Sequence, residues 1–407
     1  MKNKGLKIIS ILLTTAVLCS GCQSTKTVQK QEKTHLVLWH YWDIKKNQEN
    51  LKNLVDGFNH SQNAVEVEIT YVPDEDFKKQ MALAMADGTT PDLAFVDSSD
   101  FQFLHSMQSF ADLTDQIPEE EEYLDKAMKA CTIDGKVYGL PFGVNCTGMF
   151  YNKKLLEKNG CNVPTNWEEF RETAKKVSSD SANGFAITAL QTEESMYEFL
   201  PLFWSMGGNI HKINENASYQ AFRFLNQMEQ EGSLSSQSAS LTMGDLTNLF
   251  IQGKIAMMFN SSMAIDSIKE NAPQLEFGVA PIPCGDNQTT VAGGEIIGVA
   301  DNDNKEDAVK FLKYIADPKR MEEYIDDFGF LAPRQDVMDQ QFADEPEKYA
   351  FIEMYKNSKT REFNQTWPRI SLTMADALKE ILLEDGDIQT ILDKKAEEIE
   401  YISEGKQ

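Results

Sequence analysis

The run Leu36-Val-Leu-Trp39 has β character, and from Gln48 the pattern changes to a helical one, with Leu51, Leu54, Val55 and Phe58 at i, i+3, i+4 and i+7. Val65-Glu-Val-Glu-Ile-Thr-Tyr71 alternates with period two, as a half-buried strand does. Phe77, Met81 and Met85 then recur every four residues on a second helix, stopped by Gly88-Thr-Thr-Pro91, and Asp92-Leu-Ala-Phe-Val96 reads as a third strand. Strand, helix, strand, helix, strand implies right-handed crossovers and a mostly parallel sheet.

A second unit begins beyond Asp134-Gly-Lys-Val-Tyr-Gly-Leu-Pro141, with the extended Gly148-Met-Phe-Tyr-Asn152 and a helix to Lys158. Thr165-Asn-Trp-Glu168 reads as a capping box, the Thr165 hydroxyl on the Glu168 amide, opening the helix that carries Phe170, Ala174 and Val177. Later periodic stretches predict helices over 308–316, 372–383 and 388–402.

The first residues break this pattern. Lys2, Lys4 and Lys7 precede an apolar run from Ile8 to Leu18, about half of what a bilayer-spanning helix needs, so residues 1–21 read as a cleaved signal peptide. Leu18-Cys-Ser-Gly-Cys22 resembles a bacterial lipobox, which implies lipidation of Cys22, with Cys19 in place of the usual leucine. Residues 22–33 then form a lipidated N-terminus and a polar, lysine-rich tether lifting the rest off a cell membrane, an extracytoplasmic placement.

Removing the three leader lysines from a net charge of −25 leaves −28, which argues against nucleic acid as a partner. Past Cys22 only Cys131, Cys146, Cys161 and Cys284 remain, without a CxxC pair, and they are expected to be buried apolar residues. About 375 residues beyond the tether are too many for one ordinary core and imply two domains.

The order of several short segments resembles the family 1 extracellular solute-binding proteins over nearly all of the mature chain. They include Leu38-Trp-His-Tyr-Trp42, Ala84-Met-Ala-Asp-Gly-Thr-Thr-Pro-Asp92, Gly135-Lys-Val-Tyr-Gly-Leu-Pro141 and Pro164-Thr-Asn-Trp-Glu-Glu-Phe170. Trp204-Ser-Met-Gly-Gly-Asn209, Phe250-Ile-Gln-Gly-Lys-Ile-Ala-Met257, Gly278-Val-Ala-Pro-Ile-Pro283 and Phe330-Leu-Ala-Pro-Arg334 follow in the same order. The resemblance implies a two-lobed α/β periplasmic-binding-protein fold, a type II clamshell with a mostly parallel sheet flanked by helices in each lobe. Residues 34–141 and 295–355 would form one lobe and 142–294 and 356–402 the other, with hinge crossovers near Pro141, near Gly294 and after Tyr355. It further implies a monomer that captures a sugar or oligosaccharide and delivers it to the permease subunits of an ABC importer, without a cofactor.

Sugars offer hydroxyls and flat C–H faces, so rings beside neutral or acidic side chains are the chemistry to seek. Trp39, Tyr41 and Trp42 leave the first strand at its carboxyl end, with packing against the first helix as the alternative. Asp97 and Ser98 end the third strand, where a helix cap is the competing role. By the resemblance, Tyr197 stands before Gly207-Gly208 as a ligand-contacting tyrosine does in the family's maltose-binding member. In Asn260-Ser-Ser-Met263, Ser261 is a candidate, and Met263 holds the place of that member's stacking tryptophan. Gly294 would let backbone approach a ligand beside Glu295, a hydroxyl acceptor. Trp367 is a further stacking candidate, and Arg369 could grip a carboxylate.

No Gly-x-Ser-x-Gly, His-Glu-x-x-His or phosphate-loop motif is present, so no enzyme is expected. His35, His40, His60, His105 and His211 lack metal-ligand spacing. A polyamine or other small cation is the rival ligand, suited to the acidic balance. A ligand sensor without a transport role is the rival use of the same clamshell.

Overall fold

The computed structural model describes residues 33–107, 110–285, 289–383 and 387–405. The leader, Cys22 and all but the last residue of the tether lie outside these residues.

Two sheets organise the chain. The first collects β1 (Thr34–His40), β2 (Val65–Tyr71), β3 (Leu93–Asp97), β6 (Gly139–Cys146), β11 (Val291–Val299) and β12 (Lys359–Thr360). Its path runs β12-β11-β3-β1-β2, with β6 on β11. A hairpin of β4 (Thr132–Ile133) and β5 (Lys136–Val137) leads into β6. The second sheet runs β10-β7-β9-β8, built from β7 (Gly148–Asn152), β8 (Asn183–Ala186), β9 (Ile255–Asn260) and β10 (Phe277–Ala280).

Helices cover both sheets because their apolar stripes match the helical period. Lys45–Ser61 turns Leu51, Leu54, Val55 and Phe58 inward. Trp167–Val177 buries Phe170, Ala174 and Val177, with Phe170 against Phe185 and Phe259 of the second sheet at 4.9 and 5.6 Å between ring centroids. Cys131, Cys146 and Cys284 are buried, Cys161 is half-buried, and all four are free thiols.

Two expectations change. The second sheet is not mostly parallel: β10 and β9 both run antiparallel to β7, and only β8 and β9 are parallel. β7 follows β6 across the single residue Thr147, and β10 precedes β11, so strands entering and leaving this lobe lie side by side in opposite directions. The helix cap sits one residue later than read and is not a full capping box, because the returning carboxylate takes the residue before the cap. Asn166, in extended conformation, accepts from the Glu169 amide at 3.0 Å, and the Glu169 carboxylate takes the Thr165 amide and hydroxyl at 2.9 Å each.

The expected crossovers near Pro141, near Gly294 and after Tyr355 fall on β6, on β11 and just before β12. β11 keeps β6 along one edge from Ala292 to Gly298. On its other edge Val291 and Ala292 pair with β12, and Glu295 to Val299 pair with β3. β12 runs with β11 and β3 against it, so the carboxyl ends of two strands meet at Gly293-Gly294. Ligand sites of α/β proteins form where strand ends open in this way.

Lys126 fixes the approach to β12. Its ammonium donates to the carbonyls of Tyr355, Lys356 and Ser358 at 3.0, 3.0 and 2.7 Å, at the carboxyl end of helix Pro346–Lys356. A cation there satisfies carbonyls left unpaired where a helix stops.

Candidate functional site

The meeting point at Gly293-Gly294 gathers side chains from both lobes and all three connecting segments. Ser98 donates its amide to the Gly294 carbonyl at 2.9 Å, extending the pairing of β3 with β11 one residue beyond Asp97. A side chain on Gly293 would come within 2.4 Å of the Asn145 amide oxygen and 3.0 Å of the Tyr197 ring. Gly294 has φ +153°, and its added Cβ would stand 2.4 Å from the Gly143 carbonyl oxygen. Glycine is thus what lets Asn145 and Tyr197 cross the strand here.

Glu295 and Asp97 are register partners on adjacent strands. The Tyr41 hydroxyl donates to Glu295 with both carboxylate oxygens at 2.7 Å. Burial, then the charge of Asp97, push the Glu295 carboxyl well above its ordinary range, against the opposing effect of the Tyr41 and Trp42 donors. The Trp42 indole N–H comes near Glu295 without reaching a hydrogen bond among the described residues.

From the other lobe, Glu193 and Tyr197 stand one turn apart on helix Glu193–Ser205. The Tyr197 hydroxyl donates to Asn145 at 2.9 Å. Arg361, just past β12, joins the halves: its guanidinium donates to Glu193 at 2.7 Å, lies 3.4 Å from Asp97 and from the Ser98 hydroxyl, and covers the Tyr197 ring at 5.8 Å. Burial opposes its charge, and Asp97 and Glu193 outweigh burial, so its pKa rises. Its Nε finds no hydrogen-bond partner among the described residues.

Around this centre Lys78 pairs with Asp100 at 3.0 Å. Burial lifts Asp100 to about 6, with Lys78 opposing and Asp97 and Glu193 reinforcing. Glu194 accepts from the Met243 amide at 3.2 Å and is raised by burial and by carboxylates that include Asp74 and Asp43 of the facing lobe.

Of the sequence candidates, Tyr41, Asp97, Ser98, Tyr197, Gly294 and Glu295 come together here. Trp39 is half-buried within β1. Trp42 is not a stacking platform: it is 6% exposed and wedged among Phe95, Phe142, Phe328 and Phe330 at 4.5–6.2 Å. Trp367 is also a core residue, wholly buried because Trp367, Ile370, Ser371 and Met374 form the inward stripe of helix Trp367–Leu383. It reaches the site only through its indole N–H, 3.2 Å from Glu193. Arg369, two residues on and so on the opposite helix face, is exposed in an outer groove beside Thr373, Lys394, Glu398 and Tyr401. It lies outside the cleft. Ser261 is buried, and Met263 packs on Gly329 where the lobes touch.

Sequence reasoning missed Arg361, Glu193 and Asn145. Glu193 was within reach, four residues before Tyr197 on one helix face. Arg361 follows directly on the third expected crossover, and nothing in the local pattern marks Asn145.

Two α/β lobes joined by three strand segments, with a polar site shared between them, define a clamshell binding protein. A solute-binding protein of an ABC transporter from Thermotoga lettingae, solved with α-D-tagatose, superposes with a TM-score of 0.84 at 19% identity, covering 91% of this chain and all of that one. Maltose-bound MalE3 of T. maritima gives 0.82 at 21% identity, with 91% and 100% covered. The chain belongs to the bacterial extracellular solute-binding proteins, whose family model matches residues 53–350. Members of that family are binding proteins that act outside the cytoplasm. Among curated relatives, a putative binding protein of Brucella abortus is 25% identical, with 81% of this chain and 84% of that one covered. The multiple sugar-binding protein of Streptococcus mutans is 23% identical, covering 79% and 81%.

Proposed function

We propose that this protein captures a sugar or oligosaccharide between its lobes and delivers it to the permease subunits of an ABC importer, working as a monomer anchored to the cell membrane through lipidated Cys22. The observation that carries the reading is the network at Gly293-Gly294, in which Glu295 and Asp97 of one lobe and Glu193 and Tyr197 of the other meet around Arg361. Such an array offers hydroxyl groups acceptors from both sides, so a ligand is fully satisfied only when the lobes close, which biases the hinge equilibrium. The names of relatives that bind multiple sugars, melibiose, raffinose or stachyose, and arabinooligosaccharides support a carbohydrate.

A thermal-shift screen of the mature chain against sugars, polyamines and amino acids tests it, since ligand at a hundred times Kd adds about 2.7 kcal/mol of stability. Stabilisation by a carbohydrate class is the expected result, and stabilisation by polyamines alone overturns it. For the anchor, Cys22→Ser is expected to move the protein from the membrane fraction to the soluble one.

A further inference from the structure

Resting on the carbohydrate reading, we infer that the cleft sorts solutes by charge: it accepts those that present hydroxyl or ammonium donors and rejects sugars bearing phosphate or carboxylate. Five carboxyl groups converge on it, Asp97, Asp100 and Glu295 from one lobe and Glu193 and Glu194 from the other, and two cations, Arg361 and Lys78, stand among them.

None of the cations here is at an anion's disposal, and Lys126, which lines the same pocket, spends its ammonium on the carbonyls of Tyr355, Lys356 and Ser358. The Arg361 side chain is 1% exposed, whereas its partners Asp97 and Glu193 are 32% and 21% exposed, so a solute entering the cleft meets the carboxylates and not the guanidinium. Lys78 is more open, at 38%, but it is paired with Asp100 and lies in the fields of Glu193 and Asp74. Arg369, the sequence candidate for gripping a carboxylate, is outside the cleft. An anionic sugar would therefore add like charge where the lobes exclude water, and repulsion between like charges grows as water leaves. Burial raises Asp100 to about 6 and raises Glu194, and neighbouring carboxylates add to it, Asp97 and Glu193 on Asp100 and Asp74 and Asp43 on Glu194. A hydroxyl or ammonium group supplies the opposite, a donor to a carboxylate. Rejection by an unpaired like charge is a recognised route to specificity.

Calorimetric titration of the full mature chain against mono- to tetrasaccharides of glucose, galactose, mannose and arabinose, each with its amino, uronate and phosphate counterparts, reads this directly. A neutral or amino sugar is expected to bind, with its anionic counterparts weaker by about a hundredfold. In Glu194→Gln, that ratio is expected to shrink several-fold. An anionic sugar binding as tightly as its neutral counterpart overturns the inference and leaves the carbohydrate reading standing, as does an unchanged ratio in Glu194→Gln for the placement of the rejecting charge. A panel in which no sugar binds overturns the carbohydrate reading itself.

Discussion

Tyr41 and Trp42 are neighbours in sequence with opposite fates, which separates binding from folding at the scale of single residues. Trp42 fills the space between four phenylalanine rings, so Trp42→Ala is expected to cost about 3–5 kcal/mol in urea unfolding. Tyr41→Phe keeps the edge contact with Phe77 at 5.1 Å and loses only the hydroxyl on Glu295. It leaves buried Glu295 without that donor, so it should lower ligand affinity by about 1–3 kcal/mol with a smaller loss of stability than Trp42→Ala. Glu198 offers a pH test. It is wholly buried, accepts from the Thr188 amide at 2.7 Å through one oxygen, and has its pKa pushed well above the ordinary range by burial. Between the unfolded and folded pKa the native state holds a proton that the unfolded chain has lost, so stability falls as pH rises through that window, by up to about 1.4 kcal/mol per unit. Glu198→Gln keeps an acceptor for Thr188 and removes the slope. Its advantage over the wild type should therefore grow between pH 5 and pH 8, and parallel stability curves would refute the assignment. The six candidates that meet at the site were legible because they lie at strand ends or on a family spacing. Trp42, Trp367 and Arg369 misled because a ring or a charge near a strand or helix end carries no sign of which way it faces. Arg361 was hidden for the same reason, since its role depends on partners 168 and 263 residues away in sequence.

Elements were easier to read than their pairing. Helices with one apolar stripe, such as Lys45–Ser61 and Ile388–Ser403, are visible from period alone, and β2 shows its alternation. β9 is buried at every position, so Ile255-Ala-Met-Met-Phe-Asn260 carries neither alternation nor strand direction, and the antiparallel pairing in the second sheet had no sequence signal. Among the connecting strands, the steric demand falls on β11. Gly294→Ala combines a backbone conformation hostile to L residues with a Cβ driven into the Gly143 carbonyl. A loss of about 2 kcal/mol or more is expected. Gly88, a left-handed helix cap at φ +68° with nothing near its missing Cβ, is the control. Gly88→Ala should cost only about 1 kcal/mol. Equal losses in the two variants would mean that backbone conformation alone sets the requirement at Gly294.

On the scale of the whole molecule, the lobes touch at one end of the cleft through contacts that need no ligand. The Ser262 hydroxyl donates to the Gly329 carbonyl at 2.7 Å. Above it, Lys46 of the first helix reaches Glu270 at 3.1 Å and Asp266 at 3.9 Å on helix Ala264–Asn271 of the other lobe. Asp266 is also held at 3.0 Å by Lys348, whose side chain is 7% exposed, so one carboxylate ties helix Ala264–Asn271 both to the facing lobe and to the helix that leads into β12. Exposed pairs such as Lys46–Glu270 are worth about 0–1 kcal/mol, enough to change a closed-state population up to about fivefold. Because Lys46 is absent from the network at Gly293-Gly294, its effect on binding would pass only through lobe closure. Lys46→Glu places a third negative charge beside Glu270 and Asp266 and is expected to weaken affinity several-fold, mainly through faster release, with the loss diminishing at high salt. Small-angle scattering of the liganded variant should show a larger radius of gyration at subsaturating ligand than the wild type does. Unchanged affinity with unchanged dimensions would mean that the rim pairs form in both positions of the lobes and bias neither.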